Sequence, residues 1–414
     1  MLGWPRVAGV GSRWVSGMAL GVLVGLTAGV MHGCAQETGS CIPGTVGCIC
    51  EMSGVCDAGL VCTQNRCVSP DDDPTIAGDS SVGVPSEESG DATDGTSTAG
   101  VPVDCSGVTL RVAAYNVQAV GFVESDGWNA LGEVLGRIDA DVVCIEELED
   151  GETGPLRELT MALGYGEPVQ ADASPGIGGE LRNACLGRVP LTRIESFTAS
   201  DLSSDPLAND VGRDFLAVRA EASEGCHVSL IGVHAKSGLE PLDFFRRQIE
   251  HVRLVQAVER VRAEYPDDPV IVMGDFNENI DDPGVGTVFE TAPDGLPPSY
   301  EVGSDIEFPL TYSPFTTIES ASLTMVDATQ EDSDARGTWS AFDSEGSRLD
   351  YLWVPSAADT LAIDSVVVFN TCLDDGVDAA PTGAWLPLAG DPVPCWVGPA
   401  ASDHLPIVAD LRVP

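Results

Sequence analysis

The chain has 414 residues, 43% of them hydrophobic, with 65 acids against 20 bases and a formal charge of -45. That much apolar material excludes disorder throughout and suffices for one large domain or two smaller ones. The charge disfavours a protein that holds polyanions by broad phosphate neutralisation, so a phosphate ligand would have to be handled locally, through metal ions; the same acidity also suits solubility in a salty medium.

At the N-terminus Arg6 and Arg13 precede an apolar stretch from Met18 to Met31, followed by His32, Gly33 and Cys34, the layout of an export signal. The stretch is short and glycine-rich for a membrane span. A small residue directly before Cys34 resembles the bacterial lipoprotein signal, which predicts lipidation of Cys34 and a secreted or outer-surface, lipid-anchored protein of the bacterial cell envelope. His32 is unusual in such a box, so ordinary cleavage nearby is the alternative, and Met18 is an alternative start.

Thirteen cysteines also favour export over a reducing cytosol. Six of them, at 41, 48, 50, 56, 62 and 67, fall among glycines with few core formers between them, which predicts a small disulfide-stapled module over 34–68. A zinc site is the competing reading, but Cys48-Ile49-Cys50 lacks the two-residue gap of a zinc knuckle and the module has no histidine. Residues 69–104 form an acidic linker rich in Gly, Ser and Pro, with eight acids and no base between Asp71 and Asp94, a self-repelling tether.

The folded domain is expected over 105–414. Val108 to Asn116 alternates as a strand, Trp128 to Ile138 has helical spacing, and Asp141 to Ile145 is a short apolar strand ending in Glu146-Glu147. A second helix is predicted over Pro155 to Leu163, and a strand over Asn183 to Leu186. Phe215 to Ala220 and His227 to His234 read as an antiparallel pair joined at Ser223 to Gly225. The longest helix, Leu242 to Tyr265, is apolar at Phe245, Ile249, Val252, Val255, Val258 and Val261. Val270-Ile271-Val272-Met273 then reads as a buried strand, and Gly274 lets the chain turn, or be approached closely, as Asp275 and Asn277 leave on one face. Leu349 to Pro355, Ile363 to Phe369 and Ile407 to Leu411 complete a strand-rich C-terminal half. Strands with helices between them predict an α/β protein of two packed sheets flanked by helices.

Polar residues recur at these strand ends where core packing does not require them: Asn116, Glu147, His234, Asp275, Asp350, and Asp403-His404 just before the last strand. Each alone could be a strand cap. Together they are an inventory for binding a divalent metal and moving protons in phosphoryl chemistry.

Five ordered motifs, Tyr115-Asn116, Ile145-Glu146-Glu147, His234-Ala235-Lys236-Ser237, Gly274-Asp275-Phe276-Asn277 and Ser402-Asp403-His404, resemble the endonuclease/exonuclease/phosphatase (DNase I-like) superfamily, with Thr338-Trp339 and Arg348-Leu349-Asp350-Tyr351 between the last two. The resemblance runs from about Thr109 to the C-terminus and implies a four-layered α/β sandwich. It further implies that Glu147 and Asp403 bind a divalent metal, usually Mg2+ with Mn2+ or Ca2+ as the other candidates, and that Asn116 helps hold metal or phosphate. By the same resemblance Asp275 and Asn277 orient the attacking water and the phosphoryl oxygens, and His404, supported by Asp350, acts as base or transition-state stabiliser. His234 would be an acid or phosphate donor. Lys236, the sole lysine, lies two residues from His234 and is a candidate phosphate contact, with a solvent-facing side chain as the alternative. Arg213 is a second candidate, and a surface ion pair is its alternative. His227 and His251 lie off the motifs and are expected to be structural or exposed. Glu146 stands where glutamine is usual and is expected to point away from the metal, since adjacent strand residues face opposite sides.

Cys372 and Cys395 bracket a Pro- and Gly-rich insertion and are expected to form a disulfide. Cys144, in mid-strand, is expected to be a buried free thiol, while Cys105, Cys185 and Cys226 cannot be paired from sequence. The functional expectation is an exported metal-dependent phosphoesterase, first an extracellular nuclease, with a phospholipid or small phosphate-ester phosphodiesterase or phosphatase as the alternative. A surface-binding protein without catalysis is the alternative of another class. A monomer is expected.

Overall fold

The computed structural model describes residues 61–63, 66–68, 103–118, 126–149, 153–172, 181–279, 284–330, 334–342, 345–357, 361–374 and 388–414. The chain divides into two units, Met1–Ser97 and Thr98–Pro414. In the first, β1 (Val61–Thr63) and β2 (Arg66–Val68) pair antiparallel, with Cys62 opposite Cys67. The export signal, Cys34, the rest of the cysteine-rich module and nearly all of the acidic linker lie outside the described residues.

The second unit opens with β3 (Thr109–Asn116), α1 (Asp126–Ile138), β4 (Val142–Leu148), α2 (Thr153–Ala162), β5 (Val169–Gln170) and β6 (Arg182–Gly187). Then come β7 (Leu191–Ala199), β8 (Val211–Ser223), β9 (Cys226–His234), α3 (Pro241–Glu264) and β10 (Val270–Asp275). The short β11 (Val288–Phe289) and β12 (Leu310–Thr311) lead through α4 (Pro314–Glu319) to β13 (Leu323–Met325), β14 (Asp350–Pro355), β15 (Ala362–Val368), α5 (Val397–Ala401) and β16 (Ile407–Arg412). The long elements expected from the sequence recur within a few residues. β7 and β13 are strands that the sequence does not signal, because Leu191–Ala199 lacks an apolar run or a clean alternation and Leu323–Met325 is too short to show a period.

Two six-stranded mixed sheets result, ordered β15-β16-β3-β4-β6-β5 and β13-β14-β10-β9-β8-β7. Alternation along each strand decides which face goes where. In β3, Leu110, Val112 and Ala114 point between the sheets, against Leu230, Ile271 and Met273 of the other sheet, while Ala113 and Tyr115 point outward to α1. In β10, Val270 and Val272 point outward to Leu254, Val258 and Val261 of α3. The order is therefore helix, sheet, sheet, helix, the four-layered DNase I-like sandwich.

Three disulfides tie the domain: Cys105–Cys226, Cys144–Cys185 and Cys372–Cys395. The last agrees with expectation. Cys144 is no free thiol, because the antiparallel register of β4 and β6 sets Cys185 directly opposite it on the inter-sheet face. That pairing depends on which strands become neighbours, which the local sequence does not encode.

Candidate active site

The topology brings the polar strand ends to one rim. β3 runs parallel to β4, and β9 parallel to β10, so their C-terminal ends deliver Asn116, Glu147, His234 and Asp275 to the same edge. β14 and β16 run antiparallel to β10 and β3, so their N-terminal ends reach that edge as well, carrying Asp350 and the preceding Asp403-His404. Asp275 stands in register with His234 on one side and Asp350 on the other.

Gly274 makes this approach possible. Its φ is 136°, and a Cβ there would lie 2.1 Å from the Val233 carbonyl oxygen and 2.8 Å from Oε1 of Glu146. Asn277 and Glu147 also occupy left-handed backbone, at φ 50° and 62°, a strain that surrounding structure must hold in place. At Glu147 the strain has a clear effect. Strict alternation in β4 sends Val142 and Cys144 between the sheets and Val143 and Ile145 to the helices, so it would send Glu146 inward and Glu147 outward. The register of β4 against β6 shifts between Ile145 and Leu148, and the bulge swings Glu147 back into the cleft. Glu147 thus lines the cleft, while Glu146 lies buried between the sheets beside Gly274. Glu146 is fully buried, neither carboxylate oxygen has a hydrogen-bond partner, and burial, reinforced by Asp350, Asp275 and Glu147, raises its pKa well above the usual carboxylate range.

The cleft has a volume of about 460 Å3, and Glu147, Asp275, Asn277, Asp403 and His404 line it. Asp275 is its centre. Oδ2 accepts from Asn116 Nδ2 at 2.9 Å and Asn277 Nδ2 at 3.1 Å, and Oδ1 accepts the Asn277 backbone N–H at 2.8 Å. Burial, and next the Asp350 carboxylate, push Asp275 up to about 7 against the opposing pull of His404 and these donors. His404 Nδ1 lies 2.8 Å from Asp350 Oδ2, and Nε2 lies 3.9 Å from Asp275 Oδ2 and 3.7 Å from Asp403 Oδ1. Burial alone would lower the His404 pKa, but Asp350, Asp275 and Asp403 overcome it and raise it to about 10. His234 behaves in the opposite way: burial first, then Arg213 and His404, hold its pKa well below the ordinary histidine value. Its Nε2 lies 3.3 Å from Glu147 Oε1 and 3.7 Å from Asp275 Oδ2, yet neither ring nitrogen makes an aligned hydrogen bond.

Donor atoms of Glu147, His234 and Asp275 lie within 4.8 Å of one another, as do those of Asp275, Asp350 and His404. Carboxylate oxygens dominate both groups, and buried atoms without partners include both Glu146 oxygens and Asp403 Oδ1. An oxygen-rich, anionic and under-satisfied donor set fits a hard divalent cation. Asn116 turns its amide N–H groups to Glu147 Oε1, at 3.2 Å, and to Asp275, while its Oδ1 accepts from the Gln118 backbone. It thus braces two carboxylates.

The two candidate phosphate cations do not line the cleft. Lys236 Nζ pairs with Asp243 Oδ1 at 2.9 Å and also donates to the Ser237 carbonyl. Arg213 Nη1 donates to the Ala235 carbonyl at 2.8 Å, bracing the strand end beyond His234. His251 is buried in α3, with Nδ1 2.7 Å from the Arg247 carbonyl. Ser402, which the sequence shows only as part of a motif, links two strand ends. Its hydroxyl donates to the Asn116 carbonyl at 2.7 Å and accepts the His404 backbone N–H at 3.0 Å. Nothing in its local sequence points to that partner.

The family model described as Endonuclease/Exonuclease/phosphatase family matches residues 113–404, which spans all of these groups. The chain belongs to that family. As a member it is a metal-dependent enzyme that hydrolyses phosphoester bonds. Among solved structures, truncated TDP2 of Caenorhabditis elegans is similar at 14% identity, covering 75% of this chain and 100% of that one with a TM-score of 0.45. The human Nocturnin catalytic domain with bound sulfate matches at 17% identity, covering 74% and 95% with a TM-score of 0.46. An endonuclease/exonuclease/phosphatase from Beutenbergia cavernae matches at 17% identity, covering 74% and 72% with a TM-score of 0.44. A search of curated proteins finds no match.

Proposed function

We propose that the protein hydrolyses phosphodiesters with Mg2+ as its metal, by direct attack of water. The observation that carries this reading is the centre of the cleft, where Asp275 stands between a histidine poised to be charged and one poised to be neutral. Glu147 and Asp403 are assigned to hold the cation, with Asn116 fixing Glu147. A divalent cation bound there would offset carboxylate charge and polarise a phosphoryl oxygen. Asp275, with a pKa of about 7, suits a general base for the attacking water, and Asn277 keeps its carboxylate oriented. His404, held charged by Asp350, suits donation from Nε2 to the oxygens where charge develops. A neutral His234 suits a hydrogen-bond partner of the substrate rather than an acid.

For the substrate, one observation favours the lipid or small-ester reading over nuclease. Among the described residues lining the cleft there is no Lys or Arg, and a chain of charge -45 lacks the basic footprint that a polynucleotide requires. Lys236 would have to leave Asp243 to reach a phosphate. We further infer export with lipid on Cys34; mass spectrometry of the mature N-terminus should find it, and an unmodified downstream start would exclude it.

The decisive assay sets Mg2+-loaded protein against plasmid DNA, sphingomyelin and bis(p-nitrophenyl) phosphate, beside Asp275→Ala and His404→Ala. Turnover of sphingomyelin or the small ester, lost in both variants, is the expected result. Equal activity in the variants would sink the assigned site, and preference for DNA would restore the nuclease reading.

A further inference from the structure

We propose that Trp339 is a positioning residue for Asp403, its indole N–H fixing which carboxylate oxygen faces the cation; this rests on the reading of Asp403 as a cation ligand. Trp339 is 40% exposed and belongs to none of the apolar clusters, so burial does not explain its position. Its Nε1 donates to Asp403 Oδ2 at 2.9 Å. The other oxygen, Oδ1, is buried without a hydrogen-bond partner and lies 3.7 Å from His404 Nε2, on the side of the reacting groups. One oxygen is thus tied back and the other left free toward the cleft that both residues line.

The backbone gives the indole a fixed direction. Residue 339 forms bridges to Ser347 on one side and to His404 on the other. Ser340 N–H donates to the Asp403 carbonyl at 2.8 Å and Leu405 N–H to the Thr338 carbonyl at 2.7 Å. Thr338 Oγ1 accepts the backbone N–H groups of Leu349 and Asp350, at 3.0 and 3.1 Å. One short segment therefore spans the starts of the two elements that carry Asp350 and Asp403. An indole suits this role chemically, since it donates only, does not titrate and cannot compete as a ligand. Partners of this kind typically contribute 10- to 100-fold to metal affinity by pre-orienting the ligand.

The test is calorimetric titration of the full metal-free protein with Mg2+, comparing wild type, Trp339→Phe and Asp403→Asn. Trp339→Phe keeps the ring and removes the N–H; it should weaken Mg2+ binding about tenfold while its metal-free melting temperature stays near wild type. At saturating Mg2+ its kcat should return to within about twofold of wild type, because only the orientation of the ligand is lost. In 15N-tryptophan-labelled protein, the indole N–H resonance that vanishes in Trp339→Phe should shift upfield in Asp403→Asn as the carboxylate acceptor is lost. Loss of Mg2+ affinity in Asp403→Asn with wild-type affinity in Trp339→Phe would overturn the positioning role alone. Wild-type affinity in Asp403→Asn would overturn the ligand reading and this proposal with it.

Discussion

Two regions of this domain bury charged side chains, and they do so on opposite terms. Along α3, two fully buried cations meet carboxylates: Arg253 Nε is 2.8 Å from Asp210 Oδ2 and Nη1 is 2.9 Å from Asp305 Oδ2, while Arg247 Nε is 3.1 Å from Glu278 Oε2. Arg247 also donates to the Lys236 and Gly238 carbonyls, so that network holds the loop after β9 in place. At the cleft, Glu147, Asp275, Asp403 and His404 line the wall, with Glu146, Asp350 and His234 buried behind them and no Lys or Arg among the described lining residues. Charge balanced internally serves the fold. Charge left unbalanced keeps the site open to a cation and to proton transfer, at a cost in stability borne by the rest of the domain.

The contrast can be broken first at Asp275. Asp275→Asn keeps the shape and removes the base, so phosphodiester turnover should fall at least about 10^3-fold, while thermal stability of the metal-free protein holds or rises; a stability loss with activity retained would place Asp275 with the structural charges. On the other side, Arg253→Met leaves Asp210 buried without its partner and should cost about 3–5 kcal/mol in denaturant unfolding. An unchanged midpoint would mean that the α3 network is no more than tolerated.

His251 sharpens the comparison through pH. Burial holds its pKa at about 4, below the ordinary 6.5, so the folded state binds fewer protons than the unfolded chain. Its contribution is complete above pH 6.5 and is lost as pH falls toward 4, with a ceiling of roughly 3 kcal/mol. His251→Gln should flatten acid unfolding across that window, and an unaltered pH profile would show that the ring protonates without penalty. The smallest expected effect is that of the metal. Mg2+ at a hundredfold over its Kd should stabilise the protein by about 2.7 kcal/mol, read as a melting shift reversed by chelator and largely lost in Glu147→Gln with Asp403→Asn.

What the local sequence determined about this protein is considerable, because strands and their polar ends are local features. The run Val270 to Met273, the alternation of β3 and the stripe of α3 follow from periodicity, and Asn116, Glu147, His234, Asp275, Asp350, Asp403 and His404 are visible as polar groups at strand ends. The close approach at Gly274 is foreshadowed too, since only glycine tolerates φ 136° with a carbonyl where Cβ would be. Tertiary structure decided the rest, and in each case the reason is a partner distant in the chain or a dihedral that no periodicity encodes. The bulge at Glu147 turned that side chain into the cleft, the β4–β6 register paired Cys144 with Cys185, and Asp243 claimed Lys236. Strand direction did the same for the site as a whole: parallel neighbours in β3, β4, β9 and β10, and antiparallel β14 and β16, are what turn six scattered strand ends into one rim.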